Sequence, residues 1–447
     1  MKKYLYTLIL AAVLFGCKDE PVQPPDDNNN TPQSISTNDI VMYEINIRAF
    51  SSSGTFSGIK ERIDSIKALG INVIWLMPIH PVGQKNSVGQ LGSPYSVKNY
   101  LEVNPEFGTL DDFINLLNAA HERKMFVIMD WVANHTAWDN PWIENKAWYT
   151  QDAQGNIVIP PGTNWQDVAD LNYNNSEMRL SMIAAMKYWV TVVGIDGFRC
   201  DAADMIPYSF WKQAIDSLKN IPNENLILLA EGARADHFNA GFQMNYSWDF
   251  YSTLKNVFTQ SYNASFIYST HKTEYNQLTT GQKLRFTTNH DETAWDNPPI
   301  VIFGGKQGAL AASAAAIFMG GIPLIYCGQE VGVTTQLPFF SRSPINWSQN
   351  PDMVASYKKL LSIHSIGTVF KNGALANRSD FDISAFTRTV ADTTVFVIIN
   401  TRKTNKIYTI PQEFQNINWT NKLSGSQITL SSSLELQPNE YLILMNK

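Results

Sequence analysis

The chain of 447 residues carries 40 acidic and 34 basic side chains, a formal charge of −6, with 44% hydrophobic and 17% charged residues. That balance supports a substantial core rather than extended disorder, and the length suits one large α/β domain with an appendage. No basic footprint is present, which excludes nucleic acid as a main partner.

Lys2 and Lys3 precede an apolar run from Tyr4 to Phe15. The run is too short to span a bilayer and has the charged-then-apolar layout of a secretory signal, so residues 1–16 are read as a signal peptide. It ends Leu14-Phe15-Gly16-Cys17, which resembles a bacterial lipobox whose cysteine is acylated. This predicts an exported lipoprotein held on a membrane through Cys17, and Lys18-Asp19-Glu20 resembles an address for the outer membrane and cell surface. Residues 17–40, polar and proline-rich, read as a disordered tether. Cys200 and Cys327 are left for the fold, too few for a disulfide framework, and no Cys or His cluster has zinc spacing.

From Val41 short apolar runs alternate with helical patterns, the signature of βα units. Strands are expected at Met42–Ala49, Asn72–Met77, Met125–Asp130, Ile195–Asp201, Leu226–Glu231, Phe242–Tyr246, Arg285–Asn289 and Ile322–Cys327. Eight of them predict a TIM (β/α)₈ barrel over residues 41–366. Ile59, Ile63, Ile66 and Leu69 recur at helical spacing, as do Phe113, Leu116, Leu117 and Ala120, the second set behind a Thr109 cap with Asp112 in the third position. Ala309 to Met319 reads as an Ala-rich helix stopped by Gly320-Gly321 and Pro323.

The connection after the third strand, residues 133–170, lacks periodicity but holds Trp138, Trp142, Trp148, Tyr149 and Trp165. Long loops in compact domains are usually functional, so it is read as a small subdomain beside the site. Each ring is as suited to packing on the barrel as to resting against a sugar. Residues 367–447 change to alternating strands with Gly, Asn and Ser turns, an antiparallel β-sandwich domain.

Three carboxylates end three apolar runs. Asp201 closes Gly197-Phe198-Arg199-Cys200, Glu231 closes Leu226 to Ala230, and Asp291 closes Phe286 to His290. On a parallel barrel such positions converge on one rim, where chemistry happens. Arg199 shares the face of Asp201, two positions away, and can hold it ionised.

The ordered set Asp130-Trp131-Val132-Ala133-Asn134-His135, Gly197 to Asp201, Ala230-Glu231-Gly232 and Asn289-His290-Asp291 resembles the four short regions of the α-amylase family, glycoside hydrolase family 13. Gly92-Ser93-Pro94-Tyr95, Asp170-Leu171-Asn172 and Gly321 to Glu330 agree with it. The resemblance implies a retaining hydrolase of α-1,4-glucosidic bonds in starch or maltooligosaccharides, with Asp201 as nucleophile, Glu231 as general acid and base, and Asp291 binding sugar hydroxyls. It implies that Tyr95, His135, Arg199 and His290 bind substrate and that Asp130 supports Arg199. Chemistry asks for the same set, because a glycosidic bond breaks through an oxocarbenium-like state and needs one acid to protonate and another to attack.

Asn134 and Asp170 match positions that hold structural Ca²⁺ in many members, and no organic cofactor is implied. Asp204 and Met205 depart from the family's usual Lys-His pair, which leaves room for a cyclomaltodextrinase or neopullulanase-like hydrolase or a glucanotransferase. A non-catalytic surface glucan-binding protein is the alternative of another class, disfavoured by the intact trio. An α-glucan is the expected substrate, with other surface glycan-uptake proteins as possible partners.

Overall fold

The computed structural model describes residues 34–222 and 225–446. The signal segment, Cys17 and most of the expected tether lie outside the described residues. Among the described residues eight parallel strands close a barrel: β1 (Met42–Ile45), β2 (Val73–Leu76), β3 (Phe126–Trp131), β4 (Gly197–Cys200), β5 (Ile227–Ala230), β6 (Met244–Tyr246), β7 (Gln282–Arg285) and β8 (Ile322–Tyr326). Each lies beside its chain neighbour, and β8 returns to β1.

Period-two alternation sorts their side chains into two layers. Met42, Val73, Ile128, Ile227, Leu229, Met244, Leu284 and Leu324 fill the barrel, whereas Tyr43, Ile74, Val127, Phe198, Leu228 and Ile325 face the helices. Continued by parity toward the strand ends, the inner layer becomes polar. Glu44 follows Met42, Asp130 follows Ile128, and Arg199 and Asp201 share a face. Gly197 begins β4 at φ +152°, and a Cβ there would stand 1.9 Å from the Ile227 carbonyl oxygen. Only glycine lets β4 and β5 approach this closely, which sets Asp201 and Glu231 side by side.

Seven expected strands fall where the apolar runs place them. β7 instead starts at Gln282, three residues ahead of the expected Arg285. Lys283 and Arg285 face outward yet are buried, because Arg285 Nη1 donates to Glu274 Oε2 at 2.6 Å and its guanidinium lies 4.0 Å from the Phe250 ring centroid. Paired charge under a helix disguises the strand as loop.

The helix Leu110–Glu122 carries the expected capping box, with the Asp112 amide donating to Thr109 Oγ1 and the Thr109 amide to Asp112 Oδ2. The patterned run from Ile59 divides into helices Phe56–Lys60 and Ile63–Ala68, and the Ala-rich helix spans Lys306–Met319. Past β3, an antiparallel ribbon, His135–Ala137 against Val168–Asp170, ties the Trp-rich excursion to the rim. Toward the C-terminus a six-stranded antiparallel sheet faces a two-stranded one across a core of Phe396, Ile398, Tyr408, Trp419 and Leu436. Arg388 and Arg402 fasten it to the barrel, donating to the Met319 carbonyl and to the Val257 and Tyr262 carbonyls. Cys200 and Cys327 are buried and form no disulfide. No described helix is long and apolar enough to cross a membrane.

Candidate active site

A cleft of about 700 Å³ opens at the C-terminal rim of the barrel, lined by Tyr95, His135, Asp201, Glu231, His290 and Asp291. The three carboxylates anticipated from the strand ends therefore share one cavity with three of the four expected substrate-binding residues. Arg199, the fourth, lies fully buried beneath it.

Its guanidinium organises the floor. Nη1 donates to Asp130 Oδ1 at 2.8 Å and to Asp201 Oδ1 at 2.9 Å. Nη2 lies 2.7 Å from Glu231 Oε1, an ion-pair contact without hydrogen-bond geometry. The cation also sits 5.0 Å from the Trp75 ring centroid. Asp130 is thus a support, fully buried, whose Oδ2 accepts from Trp75 Nε1 and from the Tyr95 hydroxyl, each at 3.2 Å.

Burial governs the charges. It pushes Asp201 up to about 6 against the pull of Arg199. Glu231 goes up to about 7 for the same reason, with the Asp201 and Asp291 charges adding to the rise. Desolvation is the larger cause of that rise, ahead of neighbouring charge. The Ala202 amide donates to Glu231 Oε2 at 2.7 Å and fixes the carboxyl.

His290 is the one titratable base of the cleft that gains a proton. Burial would lower it, but Asp291 and Glu44 carry it up to about 9. Nδ1 lies 2.5 Å from Glu44 Oε1, and Nε2 lies 2.7 Å from the Tyr95 oxygen and 3.4 Å from Asp291 Oδ2. As an imidazolium, His290 donates from both nitrogens. Tyr95 stacks on it at 5.4 Å. His135 goes the other way, pushed down to about 4 by burial, and is neutral.

Glu44 escaped the reading of the sequence, although its parity with Met42 was a signal. So did Trp295, Phe339 and Phe340, which line the cleft, Trp295 with 67% of its surface exposed. Of the five rings noted in the excursion, Trp165 reaches the cleft, while Trp142 packs on Tyr100 and Trp148, and Tyr149 bonds Thr136. Asp204, where the family pattern departs, accepts from the Ala233 and Arg234 amides and braces the loop after β5.

Asn134 and Asp170 sit at the base of the ribbon rather than in the cleft. The Leu171 amide bonds the Asn134 carbonyl, and Asn134 Nδ2 lies 3.3 Å from His135 Nδ1. Asp170 is buried and raised by that burial, and none of the ion pairs among the described residues includes it. A buried carboxylate without a cation suits a metal, while no group of three or more His, Cys, Asp or Glu side chains is placed to hold a metal ion there or elsewhere among the described residues. Further ligands would have to be amide and backbone oxygens.

The sequence model of the alpha-amylase catalytic domain matches residues 26–156 and 144–365, most of the chain. The chain belongs to the alpha-amylase family. Among its relatives in that family, alpha-amylase 3 of Dictyoglomus thermophilum is 28% identical over 71% of this chain and 69% of its own length. Alpha-amylase MalA of Haloarcula japonica is 29% identical over 66% of this chain, which spans only 44% of that longer protein. Two solved alpha-amylase structures superpose over 92% of this chain and 99% of theirs. The enzyme from Lactobacillus plantarum has a TM-score of 0.82 at 26% identity, and a noncanonic maltogenic alpha-amylase from Thermotoga neapolitana has 0.83 at 27%.

Proposed function

We propose that this protein is a retaining glycoside hydrolase of α-1,4-linked glucans. One observation carries the reading: a single buried guanidinium, Arg199, contacts both Asp201 and Glu231 at the cleft floor. Carboxyls held side by side suit attack at about 5–5.5 Å separation, rather than the about 6.5–9.5 Å that leaves room for a water in an inverting enzyme.

Asp201 attacks the anomeric carbon as Glu231 gives its proton to the departing glycosidic oxygen. A covalent glycosyl ester results, and the leaving chain diffuses away. The charge of Asp201 is consumed in that ester, which removes one cause of the high Glu231 pKa. Glu231 then takes a proton from water, water attacks the same carbon, and Asp201 departs as carboxylate. Asp291 and the His290 imidazolium hold hydroxyls of the reacting sugar, with Tyr95 beneath it. If a sugar hydroxyl replaces water in the second step, the same residues perform glucosyl transfer.

Asn134 and Asp170 would hold a calcium ion, which supplies a link between excursion and barrel and takes no part in the bond changes. We further infer, from Cys17 and the segment before it, an exported lipoprotein anchored at the outer membrane and working beside other glycan-uptake proteins. The test is a product profile on amylose, cyclodextrin and pullulan for the wild type and Asp201→Asn. Shortened maltooligosaccharides from the wild type and none from the variant support hydrolysis; lengthened ones point to transfer. A wild type that binds glucan and releases nothing would make it a binding protein.

A further inference from the structure

Asp204 stands where an acid replaces the family's usual lysine, and the chemistry above gives it no task. Its carboxylate lies outside the lining of the cleft and turns onto the loop after β5. Oδ2 accepts from the Ala233 amide at 3.1 Å and Oδ1 from the Arg234 amide at 3.3 Å, while Nε2 of the buried His237 approaches Oδ1 to 3.3 Å. Two amides converging on an ionised acceptor form charge-assisted bonds. Gly232 makes room for them: at its φ of +145°, a Cβ would stand 2.3 Å from Asp204 Oδ1. Glycine lets the carboxylate lie against the main chain directly after Glu231.

The clasp is reciprocal. Arg234 Nη1 donates back to the Asp204 and Ile206 carbonyls at 2.9 and 3.1 Å, and the rest of its fork is committed to the Asp236 carboxylate at 3.0 and 2.8 Å. The loop after β4 is thereby fastened to the loop after β5, and each loop starts at a reacting carboxyl. Between Asp201 and Asp204 the chain passes through Ala202 in the left-handed region, at φ +44°. A residue with a Cβ is strained there, and such strain persists only where the surroundings over-determine it. The turn aims the Ala202 amide at Glu231 Oε2, 2.7 Å away, and the Ala203 amide at the Glu231 carbonyl, 2.9 Å away.

We propose that Asp204 is a positioning residue for proton transfer. By clasping the loop after β5 it holds Ala202 in its strained turn, and so fixes the Glu231 carboxyl where the glycosidic oxygen departs. The proton still passes from Glu231 to that oxygen; Asp204 neither gives nor takes one and touches no sugar. This rests on the glucan-hydrolase reading.

The test compares the wild type with Asp204→Asn and Arg234→Ala, which open the clasp from opposite sides. Two substrates are used: maltohexaose, whose leaving sugar needs the proton, and dinitrophenyl α-maltotrioside, whose leaving group departs without one. Misplacing a reacting group by about 1 Å costs about a hundredfold. In both variants kcat for maltohexaose should therefore fall about a hundredfold, with KM within about threefold of wild type. The aryl substrate's kcat/KM, which reports formation of the glycosyl-enzyme, should stay within about threefold. Melting curves establish that each variant is folded at the assay temperature, and either variant alone can refute the proposal if the other is not. Equal losses on both substrates, as a merely structural role would give, or undiminished cleavage of maltohexaose, would overturn it. A wild type that cleaves neither substrate would instead sink the underlying hydrolase reading, and the proposal with it.

Discussion

Glu44 Oε1 lies 2.5 Å from His290 Nδ1, so the first barrel strand helps set the charge of a histidine that enters the cleft after β7. Glu44 is fully buried and its second oxygen has no partner among the described residues. Burial raises its carboxyl while His290 pulls it back. Asp291 and Glu44 together keep the imidazole protonated at neutral pH, where it can donate toward Tyr95 and the substrate.

Because the folded His290 value, about 9, exceeds the free imidazole value, its contribution to stability is complete below about pH 6.5 and is lost as pH rises through 9. The melting temperature of wild type minus that of Glu44→Gln should therefore shrink across that window. A difference independent of pH between 6 and 9.5 would contradict the pairing.

The rate should follow a narrow bell on maltooligosaccharides. Below about 6 Asp201 is protonated and cannot attack, and above about 7 Glu231 has lost the proton it must give. Removing the acid costs about a hundredfold to ten-thousandfold on natural glucans. With an aryl glycoside, whose leaving group needs no proton, Glu231→Gln should form the glycosyl-enzyme readily and lose the alkaline limb. An alkaline limb that persists in this variant would assign it to another group.

The same shifts cost stability. The folded Glu231 value is raised above that of the unfolded chain, so folding favours its protonated form and this advantage fades as pH climbs through about 7. Glu231→Gln should melt a few degrees above wild type at pH 8, with the gain gone near pH 4. A variant less stable than wild type at pH 8 would mean that its contact with Arg199 outweighs desolvation.

Calcium is checked without reference to activity. A chelator should lower the melting temperature of the wild type, and Asp170→Asn should melt lower and respond no further to chelator. An unchanged wild-type melt in chelator rules the ion out of the fold.

How much of this was legible depends on where burial and polarity coincide. The apolar strands and the carboxylates that end them are visible because alternation and chain position are local. β7 is not, since Lys283 and Arg285 read as surface until the helix carrying Glu274 covers them. Removing that cation, as in Arg285→Ala, leaves a buried carboxylate and should cost about 3–5 kcal/mol in denaturant unfolding. Trp295, Phe339 and Phe340 were hidden for another reason. They come from the connections after β7 and β8, and only closure of the barrel brings them to the same cleft as Trp165, so no spacing in the chain announces them.

Asp201 carries the sugar between the two halves of the reaction. That is tested most directly by mass spectrometry of the protein after reaction with a 5-fluoro-α-glucosyl fluoride, which slows release of the ester. One 5-fluoroglucosyl adduct is expected, on the peptide containing Asp201 and absent in Asp201→Asn. An adduct on any other peptide, or none while maltohexaose is still cleaved, would contradict it.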